Sequence, residues 1–207
     1  SLIYGYHPDE ALVAVEVRED ATTIPNVILF HRRRGRLEVS EDTFRPFLWM
    51  EAESLAKGCP GEPILEPLAG PGRYRVLVTF ESWTHLMRAK SWLNRKTGHG
   101  AGDPESPYFL ITDSAQQYLM ASGRTLFGGM AFEEVRRLQM DIETHTAPGY
   151  EFCNADRESD RILLIALADS TGWMEVLEEP GGDERRLLER FVETIRARDP
   201  DVIEGHN

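Results

Sequence analysis

The sequence predicts a mixed α/β protein of the α+β kind, in two parts that differ in the order of their strands and helices. Short runs rich in valine, isoleucine and leucine recur along the chain and are separated by turns that contain glycine or proline. Segments whose apolar residues follow a helical spacing lie between some of these runs. The pattern changes after Gly128 and Gly129, where three consecutive strands precede one helix and a last strand.

Length and composition agree with one large folded domain or two small ones. The chain has 207 residues, of which 41% are apolar and 28% are charged, as in ordinary folded proteins. With 23 basic and 35 acidic side chains the formal net charge is −12, which excludes a histone-like protein whose whole surface binds phosphate. A nuclease is not excluded, because metal-dependent phosphodiester chemistry needs clustered carboxylates.

The sequence also predicts a soluble, cytoplasmic protein with no membrane partner. No apolar run approaches the roughly 20 residues that cross a bilayer, and the first residues lack the pattern of a signal peptide. Cys59 and Cys153 lie far apart and form no zinc-binding spacing, which is typical of a reducing compartment. Because residues 202–203 resemble the start of a buried strand and Asn207 follows so soon, we expect a fragment of a longer protein.

The first part, residues 1–130, is expected to form a mixed sheet with two helices. Strands are predicted at residues 11–17, 26–30, 47–50 and 74–80. A basic turn at 32–36 should follow the second strand. Ser82 and Asp113 can each cap a helix, and Gly123 fits the end of the second helix.

The second part, residues 131–207, has the β-β-β-α-β order of a ribonuclease-H-like fold. Strands are predicted at residues 137–143, 161–168, 173–177 and from 202 onwards. Asp183 can cap the helix that precedes the last strand, and that helix must end before Pro200. Because crossovers between parallel strands are right-handed, the fourth strand should lie beside the first and parallel to it.

Two acidic residues on the first of these strands are the candidate catalytic pair. Side chains alternate along a strand, so Asp141 and Glu143 should project from one face, roughly 7 Å apart, while Ile142 points into the core. Two carboxylates so placed repel each other unless a cation such as magnesium or manganese neutralises them. Two such ions can activate a water and stabilise the leaving oxygen of a phosphodiester. An Asp-x-Glu pair also occurs on strands that merely face solvent.

Two longer motifs favour the catalytic interpretation. Residues 138–144, LQMDIET, and residues 198–207, RDPDVIEGHN, resemble the first and second exonuclease motifs of family B DNA polymerases. Residues 30–49, which include TFRPF at 43–47, are similar to the amino-terminal domain of those enzymes. The chain thus resembles that amino-terminal domain followed by the truncated first part of the 3'-5' exonuclease domain.

The resemblance implies a DNA-directed DNA polymerase whose proofreading exonuclease hydrolyses the 3' end of DNA by two-metal-ion chemistry. Asp141 and Glu143 match the positions that bind two Mg²⁺ or Mn²⁺ ions in that family. Further ligands would lie beyond Asn207, so this fragment alone is expected to be inactive. The implied partners are a single-stranded 3' end and primer-template DNA, with deoxynucleotides bound by a polymerase domain that this chain does not contain.

Several other residues are candidate DNA contacts. They are Thr144, Tyr150, Phe152, Asn207, Arg32, Arg33 and Arg34. The aromatic rings can stack on unpaired bases, or they can pack their loop onto the domain. The basic run can hold template phosphate, or it can form a solvated hairpin turn.

The sequence is compatible with two other functions. One is a stand-alone metal-dependent nuclease of the same fold, which does not explain the resemblance in residues 26–50. The other is a non-catalytic nucleic-acid-binding module whose carboxylate pair is vestigial.

Overall fold

A computed structural model describes residues 6–18, 23–179 and 181–205. Asn207, one of the candidate DNA contacts, lies outside the described residues. The chain divides into two compact units, residues 1–129 and residues 130–207. The described residues form eleven strands and three α-helices, which confirms the predicted fold class. None of the helices that they form has the length and apolar character needed to cross a bilayer.

The first unit contains two antiparallel sheets. The strands of the first sheet, in spatial order, are β1 (Leu12–Arg18), β2 (Asn26–Arg33) and β3 (Arg36–Thr43). The strands of the second are β4 (Phe47–Met50), β5 (Ile64–Pro67), β6 (Val76–Thr79) and β7 (Tyr108–Phe109). Their spatial order is β5-β6-β4-β7. Short 3₁₀ helices occupy Glu53–Ala56 in this unit and Phe132–Glu134 in the second.

These two sheets correct the single mixed sheet expected for this part of the chain. β3 was not predicted, because its residues are largely polar. In the structure they are mostly exposed, and the strand is held mainly by backbone pairing with β2. The β2–β3 hairpin turns at Arg34 and Gly35, whose φ angles are 52° and 76°. Two consecutive residues with positive φ suit a tight two-residue hairpin. The turn is therefore shorter than expected, and Arg32 and Arg33 belong to β2.

The two helices of this unit begin where the capping residues predict, and the second also ends where predicted. The Ser82 hydroxyl accepts a hydrogen bond from the backbone N–H of His85, 3.3 Å away, at the start of α1 (Trp83–Thr97). The Asp113 carboxylate accepts one from the backbone N–H of Gln116, 2.8 Å away, at the start of α2 (Ser114–Ser122). Gly123, with φ of 69°, ends α2 in the left-handed conformation. The buried side of α1 packs against the second sheet in a core that includes Leu48, Met50, Val78, Phe80, Leu86, Ala89 and Leu93.

A buried glutamine joins α2 to the second sheet. Gln117 is 0% exposed, and its side-chain oxygen accepts a hydrogen bond from the backbone N–H of Phe47 at 2.9 Å. Its side-chain N–H₂ donates to the backbone oxygens of Phe47 at 3.0 Å and of Ile111 at 2.7 Å. One side chain therefore satisfies three backbone groups.

The second unit is a four-stranded sheet with a helix packed on one face. Its elements are β8 (Arg137–His145), β9 (Arg161–Asp169), β10 (Met174–Glu178), α3 (Glu184–Arg198) and β11 (Val202–Gly205). The spatial order is β10-β9-β8-β11, and β11 is parallel to β8, with Val202 opposite Arg137. The fourth strand therefore lies beside the first, as predicted. Leu187 of α3 packs with Leu138, Ile165, Leu167 and Leu177 of the sheet.

Asp169 ties the end of β9 to α3. One carboxylate oxygen accepts hydrogen bonds from the backbone N–H of Thr171 at 2.8 Å and of Trp173 at 3.2 Å. The other accepts from Nε of Arg198 at 3.1 Å, and that guanidinium stands over the Trp173 ring. Burial opposes ionisation, but these bonds and the Thr171 hydroxyl outweigh it and lower the pKa of Asp169 to about 2.

Replacing Gln117 with leucine should lower the free energy of unfolding by at least about 2 kcal/mol, because it leaves buried backbone groups of Phe47 and Ile111 without partners. The matched control is Gln116→Leu, one residue earlier on an exposed position, which should change stability by less than about 0.5 kcal/mol. Urea unfolding followed by circular dichroism measures both. Equal losses in the two variants would contradict the role given to Gln117.

Asp169 should also make the second unit acid-sensitive in a defined range. Its folded pKa of about 2 lies below the ordinary value of 3.8, so its contribution to stability is present above about pH 4 and is lost as the pH falls towards 2. Asp169→Asn should therefore flatten the pH dependence of the unfolding free energy over this range. Asp156→Asn, at an exposed position, is the matched control for the loss of one negative charge. A slope identical in wild type and Asp169→Asn would show that Asp169 is not the titrating group.

Candidate active site

Asp141 and Glu143 lie on β8 and project from the same face of the sheet. The pairing of β8 with β9 is regular from Leu138 to Glu143, and the register shifts only after Glu143. Side chains therefore alternate between the two faces over this stretch. Leu138 and Met140 pack into the core that contains Leu187 of α3. The two carboxylates consequently face away from α3, and both are exposed.

Ile142, between the two carboxylates, is not buried as expected, since 41% of it is exposed. It lies on the face of the sheet that packs against α3. At its position along β8, however, the described part of β11 no longer runs alongside. The described part of β11 ends at Gly205, opposite Met140. The expectation that Ile142 enters the core is therefore wrong, because alternation fixes the face of a side chain and not what covers it.

A third acidic side chain reaches this face from β11. Glu204 pairs with Gln139 in the parallel register, and Gln139 Nε2 donates to Glu204 Oε2 at 2.8 Å. The other oxygen of Glu204 lies 3.5 Å from Nη1 of Arg137. Asp141 and Glu204 border a cavity of about 600 Å³ whose other lining includes Ala166. Sequence reasoning missed Glu204 because its position depends on strand pairing.

Asp141 and Glu143 have the donor chemistry for a hard divalent cation. Carboxylate oxygens are the ligands that magnesium and manganese prefer, and exposed carboxylates leave room for water and substrate oxygens. Within residues 6–18, 23–179 and 181–205, no group of three or more His, Cys, Asp or Glu side chains is placed to hold a metal. The pair therefore fits part of a metal site whose remaining ligands would come from elsewhere.

The aspartates of the second motif hold β11 against β8. Asp201 accepts a hydrogen bond from the backbone N–H of Arg136 at 3.0 Å and donates its own N–H to the Arg136 oxygen at 2.8 Å. Asp199, with φ of 47°, ends α3, and its carboxylate lies 3.3 Å from Nη1 of Arg136. Both residues therefore position the strand.

Three candidate DNA contacts of the second unit, Thr144, Tyr150 and Phe152, closely follow this pair along the chain. Thr144 is half-buried and pairs with Ile162 of β9. Tyr150 and Phe152 lie in the loop between β8 and β9, where they are 60% and 76% exposed. The alternative that these rings pack their loop onto the domain is therefore wrong. The guanidinium of Arg157 stands over the Tyr150 ring, 3.7 Å from its centroid.

The three arginines of the first unit do not form one exposed patch. Arg32 is only 6% exposed. Arg33 is half-exposed and pairs with Asp9 at 3.2 Å and with Glu38 at 3.5 Å. Arg34 is exposed at the tip of the hairpin. The basic run therefore offers a phosphate less free positive charge than its sequence suggests, because strand pairing turns successive side chains to opposite faces.

Comparison with known proteins supports the resemblance drawn from the motifs. No protein-family model matches the chain. A DNA polymerase of Pyrococcus glycovorans is 35% identical over 101 residues, covering 45% of this chain and 12% of the relative. DNA polymerase 2 of Aeropyrum pernix is 30% identical over 73 residues, covering 35% of this chain and 9% of the relative. These matches thus span only a small part of each relative's length.

The fold agrees over a longer stretch than the sequence. The structure of the family B DNA polymerase from Pyrobaculum calidifontis matches with a TM-score of 0.66 and 20% identity, covering 96% of this chain and 30% of that protein. The sequence relatives and this shared fold together confirm the predicted resemblance: the chain is similar in sequence to DNA polymerases over part of its length, and its fold is similar to that of part of a family B DNA polymerase.

Proposed function

We propose that the chain supplies the amino-terminal domain, residues 1–130, and the start of the 3'-5' exonuclease domain, residues 131–207, of a DNA-directed DNA polymerase. The intact exonuclease would remove misincorporated nucleotides from the 3' end of DNA. The observation that carries this proposal is the pair Asp141 and Glu143, exposed on one face of a central strand in a chain related to DNA polymerases.

Asp141 and Glu143 are proposed to bind Mg²⁺ or Mn²⁺, two ions in the intact site. Such ions, when bound, activate water and neutralise charge on the leaving oxygen of a phosphodiester. The residues of this chain hold the two carboxylates in place. The regular pairing of β8 with β9 runs through both residues, with Asp141 opposite Ala166 and Glu143 opposite Leu164, and it fixes the spacing of the two carboxylates along the strand. The Asp141 carboxylate also accepts a hydrogen bond from the backbone N–H of Ile142 at 3.1 Å.

The proposed substrate is the single-stranded 3' end of a primer-template. Tyr150 and Phe152 offer exposed rings on the loop that starts just after the carboxylate strand, and rings of this kind stack on unpaired bases. Thr144 and Asn207 remain proposed contacts of the same substrate. Arg32, Arg33 and Arg34 are proposed contacts of template phosphate, and of these Arg33 and Arg34 are exposed. Deoxynucleotides would be bound by polymerase regions outside this chain.

The double variant Asp141→Ala with Glu143→Ala should reduce magnesium-dependent trimming of single-stranded 3' ends by at least about 100-fold. The reason is that the two ligands help to hold ions whose stabilisation of the transition state amounts to several kcal/mol. The assay uses the longest polypeptide in which this sequence is naturally encoded, with a 5'-labelled oligonucleotide and quantified product lengths.

A matched control removes two acidic side chains from the exposed side of α3. Glu189→Ala with Glu193→Ala makes the same change in net charge away from β8 and should trim at the wild-type rate. DNA synthesis by both double variants reports correct folding. Trimming that survives in the Asp141 and Glu143 variant would reject the metal-binding role, and the absence of trimming in wild type would favour a non-catalytic DNA-binding module.

A further inference from the structure

The loop between β8 and β9, residues 146–160, is organised around one buried carboxylate. Asp160 directly precedes β9, and its side chain is 0% exposed. One oxygen accepts a hydrogen bond from the backbone N–H of Ala147, and the other accepts from that of Asn154, both at 2.8 Å. Asp160 therefore connects the beginning and the middle of the loop to the strand that follows it.

Arg157 is the third partner of this carboxylate. Its Nε and Nη2 lie 2.9 and 2.7 Å from Oδ2 of Asp160. Burial favours the neutral acid, but the backbone and arginine hydrogen bonds prevail and hold the pKa of Asp160 below its usual value. The carboxylate is therefore charged at neutral pH and neutralises Arg157. A charge that is paired and bonded in this way fixes the geometry of both groups.

The same guanidinium supports the two exposed aromatic residues. Its Nη2 donates to the backbone oxygen of Phe152, and its Cζ stands over the Tyr150 ring, 3.7 Å from the ring centroid. Arg157 is 21% exposed, whereas Tyr150 is 60% exposed. One face of the tyrosine ring is therefore covered by the guanidinium, while much of the ring remains open to solvent. A ring held on one face and open on the other can stack with a nucleobase.

The position of the loop relates this ring to the proposed exonuclease site. The loop starts after His145, two residues beyond Glu143 on β8. At about 3.4 Å per residue, its first residue lies less than about 11 Å along the chain beyond Glu143. A single-stranded 3' end bound at the carboxylates would therefore have unpaired bases close to the loop.

We propose that Asp160 and Arg157 are positioning residues that hold Tyr150 as a stacking platform for an unpaired base of a single-stranded 3' end. The proposal rests on the exonuclease function given above and adds two residues that do not touch the DNA phosphate. Because Asp160 neutralises Arg157, the platform contributes stacking and little phosphate binding, so its share of the affinity should be independent of salt.

The first test needs no DNA. Trypsin cleaves after arginine, and Arg157 is protected in the wild-type loop by its bonds to Asp160 and Phe152. Asp160→Asn should speed cleavage after Arg157 by at least about tenfold, because a locally opened loop is cut in proportion to its open population. Cleavage after the exposed Arg185 is the internal control and should not change. Unchanged cleavage after Arg157 would overturn the positioning role, whatever the DNA results.

The second test measures stacking on the polypeptide used for the trimming assay. The probe is a single-stranded oligonucleotide with 2-aminopurine at its 3' end, whose fluorescence falls when the base stacks. Tyr150→Phe should bind as wild type, whereas Tyr150→Leu and Asp160→Asn should each weaken binding about 5- to 100-fold, as expected for the loss of one base–aromatic stack. The slope of affinity against salt concentration should be the same in wild type, Tyr150→Phe and Tyr150→Leu, in which Asp160 still neutralises Arg157.

The double variant separates positioning from general destabilisation. If Asp160 acts through Tyr150, Asp160→Asn with Tyr150→Leu should bind no more weakly than either single variant. Losses that multiply would assign Asp160 a merely structural role and overturn the proposal. Wild-type affinity in Tyr150→Leu would also overturn it while leaving the exonuclease function intact. Absence of trimming in the wild-type polypeptide would reject the proposed exonuclease function, and the role proposed for the loop would be rejected with it.

Discussion

The parallel pairing of β11 with β8 is the constraint on which the geometry of the second unit depends. It makes β8 a central strand, hydrogen-bonded on both edges, instead of an edge strand. Arg136 secures the pairing at its start through the backbone of Asp201 and the carboxylates of Asp199 and Asp201. Asp141 and Glu143 directly follow the stretch of β8 that is paired on both edges, residues 137–140, and they are themselves paired with β9, opposite Ala166 and Leu164. Their backbone is therefore held at a fixed spacing.

The loop that follows β8 obtains order in another way. It has no ladder of strand hydrogen bonds. Instead, the buried carboxylate of Asp160 holds the loop together by accepting hydrogen bonds from three separate points along it. A buried carboxylate is costly unless it is fully bonded, so the arrangement favours one conformation over its alternatives. A strand held by backbone pairing and a loop ordered by one buried charge thus lie next to each other along the chain. The carboxylates on the strand suit cations, and the exposed rings on the loop suit flat, apolar ring systems.

Local signals in the sequence were enough to predict the helix caps at Ser82 and Asp113 and the place of β11 beside β8. Each depends on a few neighbouring residues or on the handedness of crossovers. β3 could not be predicted, because a polar strand is defined by its partner and has no apolar pattern of its own. The bond from Gln139 to Glu204 and the network of Asp160 were equally inaccessible, since they join residues whose proximity arises only from folding. The exposure of Ile142 depends on what covers the sheet, which alternation does not encode.

The glutamine that joins α2 to β4 has a consequence for association between molecules. β7 is only two residues long and pairs with Trp49 and Met50, so it does not extend alongside Phe47. There the amide of Gln117 bonds to both the N–H and the C=O of Phe47, as a neighbouring strand would. A helix side chain thereby occupies backbone groups at a sheet edge that could otherwise pair with the backbone of a second molecule. One buried amide therefore disfavours edge-to-edge aggregation at this position.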